Sequence, residues 1–194
     1  MRPLIALLLI LAPVLAGCDR QSVGNGQAAP AGEPDAAAEA AGESAGSHAG
    51  LDRSHRGEAA PDIAFLDPRG KKVALADFRG KPLVLNLWAT WCAPCIKEMP
   101  TLDALAGQLG DKAQVLVLAQ EPIDGREKVS AFFKKAGFKH LQPYLDAEAA
   151  FSLGLGLNLP TTIAYDSMGR ELWRLSGTMD WAGPDARALI DEAR

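Results

Sequence analysis

Apolar and polar positions along this chain fall into three regimes. Leu4 to Val14 is an apolar run carrying Pro13 and preceded by Pro3. From 19 to about 57 large apolar side chains almost vanish. From about Ala60 they return with short periods that predict alternating elements. Asp62 to Leu66 and Lys72 to Leu75 read as a strand pair around the turn residues Asp67-Pro68-Arg69-Gly70. Asp77 to Lys81 is a second turn. Pro82 to Trp88 is nearly continuously apolar, the pattern of a strand buried on both faces. Cys92 to Leu109 predicts a helix with Ile96, Met99, Leu102, Leu105 and Leu109 inward. Pro100 inside it removes an N–H and is expected to kink it. Ala113 to Ala119 is a second buried strand, and Glu121 to Gly125 a loop. Arg126 to Ala136 is an amphipathic helix with Val129, Phe132 and Phe133 inward, stopped by Gly137. Leu141 to Leu145 reads as a short strand and Ala147 to Leu153 as a short helix. Ile163 to Tyr165 and Glu171 to Leu175 form a hairpin around Asp166 to Gly169. A last helix starts near Pro184. Two buried strands joined by a helix imply a right-handed βαβ unit. The expected class is α/β: a central mixed sheet flanked by helices, with an added N-terminal β-hairpin.

Composition narrows this picture. The chain has 194 residues, a formal charge of -4 and an apolar fraction of 48%, which suits one folded domain with an extension. Mild acidity gives no basic footprint, so nucleic acid is not an expected partner. There are three cysteines. Cys92 and Cys95 form the only close pair, and Cys18 stands alone after the first apolar run.

That first run reads as an address. Met1 and Arg2 form a short positive start, and Leu4 to Val14 is too short for a comfortable membrane span. It ends in Leu15-Ala16-Gly17-Cys18, which resembles the lipobox of bacterial lipoproteins. The resemblance implies that 1–17 is a signal peptide cut before Cys18, and that Cys18 is lipidated and anchors the chain on the periplasmic side of a membrane. Several acyl chains hold stably where one does not. An ordinary secretory signal with an incidental cysteine is the plainer alternative. Asp19, next to the lipidated position, resembles an inner-membrane retention signal. Residues 18–57, rich in Ala, Gly, Ser, Glu and Pro, cannot bury enough surface to offset chain entropy. They are expected to form a tether of about 40 residues with a reach of roughly 35 Å. His48 and His55 fall in it and are expected to be solvated. The folded domain is expected over 58–194.

The candidate chemistry lies at the strand-to-helix junction Trp91-Cys92-Ala93-Pro94-Cys95. Unpaired N–H groups at a helix N-terminus favour a thiolate at Cys92. A thiolate is the reactive form, and Cys95 is placed to resolve whatever Cys92 forms. Pro94 restricts the intervening turn and removes an N–H. Half of a zinc site is the competing reading, but no second C-x-x-C exists and only His140 in the domain could assist. Ile96, not His, follows Cys95, so this is not a haem attachment site. A two-thiolate Cu(I) site is chemically allowed. Asn86 in an apolar strand needs a hydrogen-bond partner, for which a local bond is expected. Trp88 and Trp91 are expected to pack beside the site, and His140 to be an exposed loop residue.

The motif after a buried strand, with Leu159-Pro160-Thr161 much later before another strand, resembles the thioredoxin fold over roughly residues 60–194. Cys95-Ile96-Lys97-Glu98-Met99-Pro100 resembles the TlpA/ResA family of membrane-tethered, extracytoplasmic thiol–disulfide oxidoreductases. Ser176-Gly177-Thr178-Met179-Asp180-Trp181 resembles its TlpA branch, and Asn86 stands where cytoplasmic thioredoxin has a buried aspartate. The resemblance implies a cis bond before Pro160, with Leu159 and Pro160, like Trp91, Ala93 and Pro94, facing the substrate. It implies that Glu98 tunes the cysteines, against the alternative of a solvated glutamate on a helix surface. It implies disulfide-bearing protein clients and a membrane thiol-electron donor of the DsbD/CcdA type. No cofactor beyond the redox-active Cys92–Cys95 disulfide is implied. The expected role is client reduction in respiratory protein maturation, at a cytochrome oxidase copper site or in cytochrome c biogenesis. Oxidation of clients and a Cu(I) chaperone without turnover stay open as alternatives.

Overall fold

The computed structural model describes residues 50–192. The predicted signal peptide 1–17, Cys18, Asp19 and most of the predicted tether, His48 included, lie outside the described residues. The strands are β1 (Leu51–Asp52), β2 (Ala64–Leu66), β3 (Lys72–Ala74), β4 (Leu83–Trp88), β5 (Gln114–Gln120), β6 (Tyr144–Asp146), β7 (Thr161–Tyr165) and β8 (Glu171–Ser176). The helices are α1 (Ala93–Leu109), α2 (Arg126–Ala136), α3 (Ala150–Leu155) and α4 (Pro184–Asp191). The strands form one eight-stranded sheet in the order β1-β8-β7-β4-β5-β6-β2-β3. β4 runs parallel to β5, and β5 to β6, while β7 is antiparallel to β4 and β8 to β7. The mixed sheet and the hairpin β2–β3 are as the sequence predicts. No helix among the described residues is long and apolar enough to cross a membrane.

Side-chain alternation explains the continuous apolar runs. In β4, Leu83, Leu85 and Leu87 join one core cluster, with Leu116 and Leu118 of β5, Ile163 and Tyr165 of β7 and Phe151 of α3. Val84 and Trp88 join the other, with Val117 and Ala119, Trp173 and Leu175 of β8, and residues of α1, α2 and α4. A strand covered on both faces has no polar side to show. Asn86 shares the parity of Val84 and Trp88, which aims it at α1.

Several boundaries move for identifiable reasons. The segment read as tether is folded at its end: β1 pairs with β8, Leu51 opposite Leu175. Arg53 forms a salt bridge to Glu192 at 2.6 Å. Gly57 N–H donates to the Glu171 carbonyl. The folded part therefore includes 50–57, ahead of the predicted start at 58. His55 is correspondingly half-buried, not solvated, with Glu58 at 3.0 Å from Nδ1. The predicted strand at Leu141 starts later, at Tyr144. The N–H groups of Lys139, His140 and Leu141 donate instead to the Asp103 carboxylate. The loop after β5 holds a 3-10 turn, Ile123–Gly125. α2 has the predicted limits and is closed by Gly137 at φ 67°, a left-handed conformation glycine adopts without a Cβ clash. The buried stripe of α1 runs Cys95, Glu98, Met99, Leu102, Leu105, Leu109. Ile96, predicted to point inward, is only half-buried.

Candidate active site

Cys92 and Cys95 are joined in a disulfide with Cα atoms 5.3 Å apart. Cys92 is the N-cap of α1, and its Sγ accepts the Cys95 backbone N–H at 3.3 Å. The helix therefore aims an orphan donor at the sulfur, which stabilises negative charge there once the bond is reduced. Cys92 is 6% exposed and Cys95 fully buried, so only the first of the two residues has any access to solvent. Trp91 is 68% exposed beside it, and Ala93 and Pro94 are exposed. Trp88 packs inward against Phe132 and Phe133.

Glu98 lies in the buried stripe of α1, one turn beyond Cys95, where the helix period calls for an apolar residue. It is 4% exposed, so it is not a solvated surface glutamate. Oε1 accepts from Asn86 Nδ2 at 2.9 Å. Oε2 accepts from the Met179 N–H at 3.2 Å and Trp181 Nε1 at 3.1 Å. Burial pushes its carboxyl above the usual range, against the hydrogen bonds from Asn86, Trp181 and Met179. Asn86 also donates to Thr162 Oγ1 at 3.0 Å, and its own Oδ1 is buried without a partner. Its bonds therefore reach α1 and β7, not a local partner. Trp181 stacks on Trp173 with ring centroids 6.4 Å apart, and Trp173 Nε1 donates to the Leu189 carbonyl of α4. One buried carboxylate thus connects α1, β4 and the segment after β8. A cavity of about 460 Å³ opens beside it, lined by Pro94, Lys97, Glu98, Thr101, Met179 and Asp180, with Thr178.

The Leu159–Pro160 peptide bond is cis. Leu87 of β4 is opposite Thr161 of β7, so the residue before Thr161 falls at the end of β4 from which the cysteine loop departs. Leu159 packs against the cluster containing Cys92 and Cys95, and the Pro160 carbonyl accepts from Gly177 N–H. Pro160 is buried. The structure thus brings Trp91, Cys92, Ala93, Pro94, Cys95, Glu98, Leu159 and Pro160 to one end of the sheet. His140 is exposed, as predicted. Among the described residues no group of three or more His, Cys, Asp or Glu converges as a metal site.

Sequence reasoning missed two participants. Trp181 carries no mark of a site residue in its local sequence beyond the TlpA-like segment, although a tryptophan N–H needs a partner when buried. Glu121 lies in a stretch that reads as a plain loop, yet it is 4% exposed and accepts both the N–H and the hydroxyl of Thr90. The available signal was its position directly after a buried strand that runs parallel to β4.

The Redoxin family matches residues 55–190 of the chain. The thiol-disulfide oxidoreductase ResA of Bacillus thuringiensis subsp. konkukian is 33% identical over 122 residues, covering 62% of this chain and 69% of that protein. The thioredoxin-like protein YneN of Bacillus subtilis is 40% identical over 113 residues, 58% of this chain and 66% of that protein. A thio-disulfide isomerase from Thermus thermophilus superposes with a TM-score of 0.56 at 31% identity, covering 70% of this chain and 92% of that one. With its disulfide at the start of α1 and a cis-proline loop at the same end of the sheet, the chain belongs to the Redoxin family, as a thioredoxin-fold thiol–disulfide oxidoreductase.

Proposed function

We propose that this protein is a lipid-anchored, extracytoplasmic reductant of client disulfides. The observation that carries the exchange chemistry is the unequal pair: Cys92 at the mouth and helix N-terminus, Cys95 sealed behind it. In the reduced protein the Cys92 thiolate attacks one sulfur of a client disulfide. The client's other sulfur leaves as a thiolate and takes up a proton. Cys95, deprotonated, then attacks Cys92 Sγ in the mixed disulfide, which releases the second client thiol. Two electrons pass to the client, and the Cys92–Cys95 disulfide seen here is the product. Trp91, Pro94 and the cavity beside Glu98 offer an apolar and partly charged surface to the client chain.

An outside dithiol must reduce the pair again, and a membrane carrier of the DsbD/CcdA type fits an anchored partner. Leu15-Ala16-Gly17-Cys18 supports the anchor, on the periplasmic side and with Asp19 in the inner membrane. The resemblance to the TlpA branch supports clients in respiratory maturation, either a cytochrome oxidase copper site or apocytochrome c.

The test is the reduction potential of Cys92/Cys95, read by tryptophan fluorescence in dithiothreitol or glutathione buffers, with Trp91 adjoining the disulfide. A value near thioredoxin's about -270 mV supports the reductant. A value near DsbA's about -120 mV makes the protein an oxidant and reverses the proposed direction.

A further inference from the structure

Cys92 leaves the sheet through a single turn. β4 ends at Trp88, and the Cys92 N–H donates to the Ala89 carbonyl at 3.1 Å, closing the turn Ala89–Cys92. Trp91, one of its two inner residues, is 68% exposed. Thr90, the other, is held from outside. Its N–H donates to Glu121 Oε1 at 2.7 Å, and its hydroxyl donates to the same oxygen.

Glu121 is a carboxylate with 4% exposure, and among the described residues no cation forms an ion pair with it. An acid buried in this way is costly unless its hydrogen bonds matter. The loop behind it is built to seat it. Gly125 is buried, and a Cβ there would come within 3.1 Å of both Glu121 Cβ and Oε2. The Gly125 N–H closes its own turn on the Pro122 carbonyl at 2.7 Å. The end of β5 thus carries a fixed acceptor, and what it grips is the backbone two residues before the attacking sulfur.

We propose that Glu121 is a positioning residue for Cys92: it fixes the Ala89–Cys92 turn so that Cys92 Sγ sits at the N-terminus of α1. The inference requires exchange at Cys92 and is independent of its direction. Charge and geometry make opposite predictions here. An anion near Cys92 acts to raise its pKa, so if charge were what mattered, removing it would lower the pKa. If the hydrogen bonds hold the turn, losing them lets Sγ drift from the helix N-terminus, and the pKa rises toward the free-thiol value. A glutamine keeps an oxygen able to accept both Thr90 donors and removes the charge.

The experiment uses the full-length chain with Cys18→Ser, in detergent and reduced, so that Cys92 and Cys95 are the only thiols. Carbamidomethylation of Cys92 is followed against pH by peptide mass spectrometry, with Lys97 and Glu98 unchanged in every variant. Glu121→Leu is expected to raise the Cys92 pKa by about one unit and slow its alkylation at pH 7 roughly tenfold. Glu121→Gln is expected to keep the parent profile. Thr90→Val, which loses only the hydroxyl, is expected to slow alkylation by roughly twofold and stands in if Glu121→Leu does not fold. A parent profile in Glu121→Leu, or in Thr90→Val where Glu121→Leu does not fold, overturns the proposal, whatever happens to the melting temperature. A lowered pKa in Glu121→Gln also overturns it, because the effect would then belong to charge.

Discussion

Glu98 carries its charge one turn from Cys95 in a place where apolar residues surround it. Its folded-state pKa is raised above the ordinary 4.5 by burial. The corresponding contribution to stability is fully present below about pH 4.5 and is lost as pH rises through the raised value. Glu98→Gln removes that titration. Relative to the parent, the variant is expected to gain stability across this window, as urea unfolding at stepped pH will show. In the reduced protein the same change removes a like charge beside the thiols and is expected to lower a cysteine pKa. Unchanged thiol titration curves would mean that Glu98 only holds α1 to Asn86 and Trp181. The sulfurs themselves are distinguished by burial. Cys95→Ser is expected to trap a dithiothreitol-sensitive adduct with a disulfide substrate, and Cys92→Ser to trap none. The reverse pattern would exchange the roles of attacking and resolving thiol. The cysteine pair was legible in the sequence because its members are contiguous. The carboxylate's setting was not, because its partners come from 12 residues before and 81 and 83 residues after it. Parity along β4 was the one local clue, since it sends Asn86 to the α1 face.

At the level of elements, the least legible piece is β1. Two residues between polar neighbours give no periodicity to read, and the Ala/Gly-rich stretch before them reads as tether. Its long-range anchors are β8 and Glu192, just past α4. Leu51 and Asp52 pair with Leu175 and Arg174, and Arg53 and Arg56 both reach Glu192. Beneath them Arg174 makes a twofold hydrogen-bonded pair with Glu171, both bonds 2.6 Å, on a strand otherwise packed with apolar side chains. That pairing raises the Arg174 pKa. A chain starting at Glu58 loses β1 and the Glu192 contacts and wets one side of this ion pair. It is expected to be less stable than a chain starting at Gly50 by about 1–3 kcal/mol. Urea midpoints at equal slope measure the difference, and coincident midpoints would make β1 an ornament on an independent domain. By contrast the long elements were readable in advance. β4, β5 and α2 satisfy burial, period and end signals at once, Gly137 included, so tertiary context had nothing to override.

The whole molecule sets how many electrons it can deliver. Only three cysteines exist in the sequence, and Cys18 belongs to the N-terminal segment outside the described fold. The folded part thus holds one dithiol, Cys92 and Cys95. A reduced chain can therefore convert one disulfide to two thiols and must then stop. Mixed with excess disulfide substrate and no donor, the reduced protein is expected to release one equivalent of substrate dithiol in a burst and nothing after it. Added dithiothreitol should restore turnover in proportion to its supply. The burst separates exchange from copper holding: a protein that binds Cu(I) through Cys92 and Cys95 without exchanging would leave the substrate oxidised. A burst well above one equivalent would require a second dithiol, which one remaining cysteine, Cys18, cannot form within a chain. One equivalent per cycle makes the recharging partner part of the mechanism. That dependence gives a physical reason for the proposed lipid anchor at Cys18. If residues 18–49 act as the proposed tether, holding the domain within tens of ångströms of the proposed membrane donor would raise the donor's effective concentration toward the millimolar range, where each spent disulfide would meet its reductant without free diffusion.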